Sequence, residues 1–359
     1  MDGVVFWAVV SARVLVPLGG FRFPLPATLA ALVFDGLDQS IFQAFGIELE
    51  GYQSYDKALD VYYLSLAYLA MMRNWVNQDA FDVGRFLYYF RLVGVVLFEQ
   101  TQIRALLLVF PNTIEYFFDA FEAIRTRWDP RRLARAALIG LAAFIWIFIK
   151  LPQEWWIHVA QLDFTDAVRD HVWFGVAVVV AILVGLAVLW FVVRPRLRPP
   201  DHPLQVRSES LPGGLDRGEV RRAGRLARGT VFNLLLLEKV VFVTLVTAIF
   251  ASILPSVDAS TPQITLAVAV FVIVDSAVGL AAARVGRGFD TAWASFLALA
   301  AVNLLAVLLV RFATPGESPI ALPVTAFFVL LLTLIVSLYD RYAPVNALRR
   351  REWDSQVRR

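Results

Sequence analysis

The sequence predicts an all-α, polytopic helical integral membrane protein. Three observations carry that reading. Hydrophobic residues make up 59% of the 359, and the mean hydropathy is +0.65. Apolar runs recur at about 20 residues, the length that crosses a hydrocarbon core as a helix. Short charged loops separate the runs, and a chain in lipid satisfies its backbone through helices or a closed barrel.

Ten spans follow in order, at 26–45, 57–75, 81–98, 103–125, 133–151, 170–194, 231–254, 262–284, 290–312 and 319–340. An eleventh candidate, 4–18, is interrupted by Arg13 and Pro17. It reads as a short span, a re-entrant segment or an interfacial helix. The N-terminus does not read as a signal peptide, because Asp2 and no base precedes the apolar run.

Loop charge sets the orientation. The 125–135 loop holds Arg125, Arg127, Arg131, Arg132 and Arg135 against Asp129. The 194–228 stretch holds nine arginines and four acids, and Arg284, Arg287 and the arginine-rich tail fall on the same side. Glu48, Glu50, Glu154, Asp163, Asp166, Asp258 and Glu317 mark the other. Basic loops face the cytoplasm, so the chain is expected in the cell membrane, with the basic loops and C-terminal tail inside. The expected blocks are 1–194, rich in polar residues; 195–230, a basic cytoplasmic linker with the prolines and glycines of flexible chain; 231–340, a more apolar four-helix block; and 341–359, a basic tail.

Composition excludes several chemistries. With no cysteine there is no disulfide, thiolate metal site or cysteine nucleophile. His158, His171 and His202 are too scattered for a histidine-based metal cluster. The pI of about 9.2 reflects membrane topology, not a nucleic-acid partner. Walker, GxSxG and zinc signatures are missing from the linker.

The informative residues are carboxylates inside the spans. Each costs roughly 2.5–3.5 kcal/mol at mid-membrane on insertion scales. Asp35 and Asp38 share one face of the 26–45 span at a spacing of three. Asp56 and Asp60 share a face at the start of the next. A tight hairpin between the two helices would bring the pairs together. Four such carboxylates suit Mg²⁺ or Mn²⁺, which prefer oxygen ligands, and suit protons or Na⁺ equally. Alternatively, Asp56 caps its helix and Asp60 meets solvent near the boundary.

The pattern Asp35-x2-Asp38 followed by Asp56-x3-Asp60 resembles the aspartate quartet of CDP-alcohol phosphatidyltransferases. The resemblance covers residues 35–60. It implies a divalent metal and a CDP-linked lipid at the quartet, with Asp60 as the base for the attacking alcohol. Gln39, Phe42 and Gln43 stand where that family has Gly and Ala-Arg, and Tyr52 stands at its later Gly.

A second set, Asn112, Glu115, Asp119 and Glu122, falls on one face of the 103–125 span. Pro111 just ahead would loosen the helix and free a carbonyl. Arg85 and Arg91 are the expected partners, with Lys57, Arg73 and Arg104 near span ends and hydroxyls from Tyr62, Tyr63, Tyr88 and Tyr89. The set reads either as a polar cavity or ion path, or as a charge-paired packing network. A third set lies in the outer loop 151–166. There Trp155 and Trp156 anchor at the interface, and Glu154, His158 and Gln161 align at helical spacing. In the rear block, Glu238 or Lys239 pairs with Asp275.

The leading expectation is a transporter or permease for a small polar or ionic solute, with intramembrane acids handling a cation or proton. The alternatives are a divalent-metal-dependent lipid-phosphate transferase and a non-catalytic scaffold in envelope assembly. The lipid bilayer is the one partner the sequence requires, and nothing in it sets an oligomeric state.

Overall fold

The structure, a computed structural model, describes residues 2–45, 52–160, 171–212, 234–253, 297, 300, 301, 303, 304 and 322–357. All regular structure among the described residues is helical. The elements are α1 (Asp2–Leu15), a 3₁₀ segment (Val16–Phe21), α2 (Pro24–Ala44), α3 (Tyr52–Asn74), α4 (Gln78–Thr101), α5 (Ala105–Val109), α6 (Thr113–Arg125), α7 (Arg135–Phe144), α8 (Leu151–Glu154), α9 (Val172–Val188), α10 (Leu234–Ile253) and α11 (Leu322–Val357). A π-helical turn at Ile145–Lys150 joins α7 to α8 in one rod, and a second at Trp155–Val159 extends it.

Four described helical stretches are long and apolar enough to cross a membrane: Val4–Phe21, Arg135–Ile157, Val172–Arg196 and Ala326–Gln356. That is fewer than the ten spans the sequence predicts. The segment 4–18, left open on sequence, is among them. The expected spans 26–45, 57–75 and 81–98 form α2, α3 and α4, which are long enough at 21, 23 and 24 residues. They are less apolar than those four stretches, because acids and bases interrupt them. The spans expected at 262–284 and 290–312 lie outside the described residues, apart from isolated helical positions.

Helix α3 is the hub. It packs against α1, α2, α4, α6, α10 and α11. Leu59, Tyr62, Leu66, Tyr68, Leu69 and Met71 are buried along it, and Trp75 just past its end. Aromatic rings do much of the filling. Tyr68 stacks on Tyr88 of α4 with centroids 4.5 Å apart, and Phe242 of α10 stacks on Tyr339 of α11 at 5.4 Å. Each ring buries a large apolar area and favours offset geometry. The described helices of the rear block thus pack directly on the front one. Lys239 bonds Asp340 at 2.9 Å and Glu238 accepts from the Tyr68 hydroxyl. Asp275, the expected partner, lies outside the described residues.

The 103–125 span is not one helix. Pro111 has no N–H to donate, and the chain breaks over Phe110–Asn112 between α5 and α6. Arg91 Nη1 caps the freed Phe110 carbonyl at 2.9 Å. Glu154 accepts the Asn112 amide at 3.0 Å. The break sits against Gly94, where a Cβ would come 2.1 Å from Phe110 Cβ.

Part of the expected linker, residues 195–212, lies among the described residues. Residues 198–210 lie across the arginine-rich end of the bundle. The amides of Asp201, Gln205 and Ser208 donate to the carbonyls of Arg127, Thr126 and Arg22 at 3.0, 2.9 and 2.8 Å. Proline and glycine content gives no hint of this, because the partners are backbone carbonyls.

Gly94→Ala is expected to lower stability by about 1–3 kcal/mol through overpacking, read as a drop in the thermal midpoint in detergent. Gly140→Ala, with nothing within 4 Å of its added methyl, leaves the midpoint unchanged or slightly raised.

Candidate functional site

The four aspartates of the front block meet at one side chain that the sequence does not single out as a partner. Arg13, near the end of α1, inserts its guanidinium between α2 and α3 and is 6% exposed. Its Nη1 donates to Asp38 and to Asp56, the latter at 2.6 Å. Its Nη2 donates to Asp35 and to Asp60, the latter at 3.0 Å. Two terminal nitrogens thus serve four carboxylates from two helices, as the planar fork of arginine allows. The Tyr62 hydroxyl donates to the Val14 carbonyl at 3.0 Å and pins the end of α1 to α3.

Burial within the cluster is uneven. Asp38 is fully buried, while the side chains of Asp35, Asp56 and Asp60 are 42, 34 and 47% exposed. A recess beside them is lined by Arg13, Pro17, Ala31, Asp35, Leu59, Asp60 and Tyr63, with free volume of about 10 Å³. That is room for about one water. One oxygen each from Asp35, Asp56 and Asp60 lies within 4.8 Å of the others. These three residues could hold a metal ion. With all four acids ionised against one guanidinium, the cluster carries three surplus negative charges. Protons or a further cation are the two ways to neutralise such a surplus.

The α6 stripe is built differently, because each acid finds its own partner on a different element. Glu115 bonds Lys150 Nζ at 3.2 Å and accepts from Asn112 Nδ2 at 3.0 Å. Asp119 accepts from the Thr28 hydroxyl of α2 at 2.6 Å. Glu122 accepts from Nε1 of Trp75, just past the end of α3, at 2.8 Å and from Arg125 Nε at 2.7 Å. Asn112 stands at the N-cap of α6 instead of on its face. Arg91 sits at the α5–α6 break, 3.9 Å from Glu154. Arg85 turns away from the stripe, toward Asp82 at 3.2 Å and Glu238 at 4.0 Å. Lys57 pairs with Glu99 at 3.0 Å. The stripe is a seam that ties α6 to α2, α3 and the α7–α8 rod.

In the third set, the π turns rotate Lys150 and Glu154 inward, to 3% and 5% exposure. Glu154 is therefore an interior acid, not a loop acid facing water. Trp155 is exposed and Trp156 stacks on Phe174 at 5.5 Å. Gln161, Asp163 and the side chain of His158 lie outside the described residues.

Arg13, Thr28 and Lys150 are the site residues that sequence reasoning passes over. A lone arginine in an apolar N-terminal run needs a counter-charge, and that need was the available signal for Arg13. No protein family, curated protein or solved structure matches the chain.

Arg13→Gln is expected to destabilise the protein by about 3–5 kcal/mol, because Asp38 is left charged and buried. Adding Asp38→Asn should recover part of the loss, a non-additivity that denaturant unfolding in detergent measures. Lys150→Met should be costly alone and close to neutral beside Glu115→Gln, since removing both partners leaves no orphaned charge.

Proposed function

We propose that this chain is a multi-pass carrier of the cell membrane that moves a small polar or ionic solute, with the aspartate cluster taking up and releasing a cation or proton. The basic loops and tail face the cytoplasm in this reading. The observation that supports it is the charge count at Arg13: four carboxylates converge on one guanidinium. Three of them keep partial access to their surroundings. A fixed internal cation lowers the cost of holding the site together while leaving it short of positive charge. In this reading the acids of α6 hold helices together, and the aspartate cluster is the transport site.

A second reading is a lipid-phosphate transferase using Mg²⁺ or Mn²⁺. The close approach of Asp35, Asp56 and Asp60 oxygens favours it, since one divalent ion takes several carboxylate oxygens at short range. The residues that would hold the ion are these three. Arg13 would then offset the charge of the remaining acid.

Carbodiimide labelling of the reconstituted protein tests the shared premise. Protonated carboxyls in apolar surroundings react, and ionised or cation-bound ones do not. Peptide mass spectrometry should place the adduct on Asp35, Asp56 or Asp60, and raised pH, Na⁺ or Mn²⁺ should suppress it. Failure to label, or labelling that none of these conditions suppresses, sinks both readings. Proton or Na⁺ flux into proteoliposomes that Asp60→Asn abolishes separates the carrier from the enzyme. Phosphate-group transfer from a CDP-linked lipid, dependent on Mn²⁺, favours the enzyme.

A further inference from the structure

At the opposite end of α3 from the aspartates, three arginines from three helices meet the strap formed by residues 198–210. Asp60 and Arg73 are thirteen residues apart, about 20 Å along the helix. Arg73 Nη1 donates to the Glu209 carbonyl at 3.2 Å and is held by Asn74 Oδ1. Arg125 Nη1 donates to the Arg207 carbonyl at 2.9 Å and lies 3.5 Å from the Glu209 carboxylate. Arg349 Nη2 donates to the Ser210 carbonyl at 3.0 Å.

The arrangement is short of acceptors. Arg125 and Arg349 are 2% and 3% exposed. Arg125 Nη2 and Arg349 Nε are both buried with no hydrogen-bond partner among the described residues. Only Glu122 and Glu209 reach any of the three guanidiniums as ion-pair partners there, and both contact Arg125. A buried charged donor without an acceptor costs more than a neutral one. Guanidinium forks match the oxygens of a phosphate group, which offers several acceptors at once.

We propose that Arg73, Arg125 and Arg349 form a binding site for a phosphate group, and that Glu209 is a tethered carboxylate standing in its place. A phosphate engages the donors that Glu209 leaves unmet and displaces that side chain, which releases residues 205–210 from the bundle end. The site is independent of the aspartate cluster and of the function assigned to it. The phosphate is either free in solution or the headgroup of a lipid.

The chain has no cysteine, so Leu204→Cys, at a position 64% exposed on the strap, takes a single spin label. The full-length protein is placed in phosphatidylcholine nanodiscs and titrated with inorganic phosphate against chloride at matched ionic strength. A second arm replaces part of the phosphatidylcholine with phosphatidic acid and omits soluble phosphate. The expected result is a saturable gain in label mobility in one arm, and the responding arm names the source. Glu209→Gln, at a side chain 25% exposed, should lower the midpoint about fivefold, the upper range for a partly exposed ion pair. Arg349→Gln should abolish the response while the thermal midpoint shows that the protein is folded. A label that stays immobile in both arms overturns the proposal, as does a response that Glu209→Gln leaves at the same midpoint.

Discussion

The contact between Arg13 and its four aspartates fixes the front of the molecule. A charge in hydrocarbon is tolerated when paired or solvated, and here a single guanidinium meets both aspartate-bearing helices. That requirement places α1 against the α2–α3 hairpin and holds the hairpin ends together. It also makes the site electrostatically incomplete. Four carboxylates around one guanidinium reach neutrality only with protons or a further cation. The chemical interest of the protein lies in that mismatch.

Along the α6 seam the acids are closed by pairing. Each of Glu115, Asp119 and Glu122 is met by a lysine, a hydroxyl or an indole from outside α6. Such contacts add modestly to stability and strongly to register, because a helix rotated by one residue would orphan all of them. The aromatic core around Tyr68, Tyr88, Phe242 and Tyr339 supplies the packing. The polar seam selects which packing is adopted.

How much of this was legible in the sequence depended on the range of the interaction. Hydropathy identified the helical membrane class, because that signal is local and repeated. The pairing of Asp35 with Asp38 and of Asp56 with Asp60 followed from helical spacing, and a short hairpin was enough to bring the pairs together. Arg13 was not legible as the partner, since periodicity orders residues within a helix and says nothing of which distant helix arrives. Pro111 correctly marked a weak point, but the full break removed Asn112 from the face it was expected to share with Glu115. Glu154 looked like a loop acid because the π turns that rotate it inward leave no sequence mark. The strap was hidden for a different reason: its contacts are made through carbonyl oxygens that every residue carries.

The polar character of α3 bears on how the protein is assembled in the bilayer. With Asp56, Lys57, Asp60 and Arg73 along it, this segment has little tendency to partition into lipid by itself, yet it ends at the centre of the bundle. In a bilayer its burial would depend on α1 supplying the neutralising guanidinium and on the neighbouring helices shielding the remainder. The most interior helix of the molecule is therefore the one whose position rests most on its neighbours, the N-terminal segment among them.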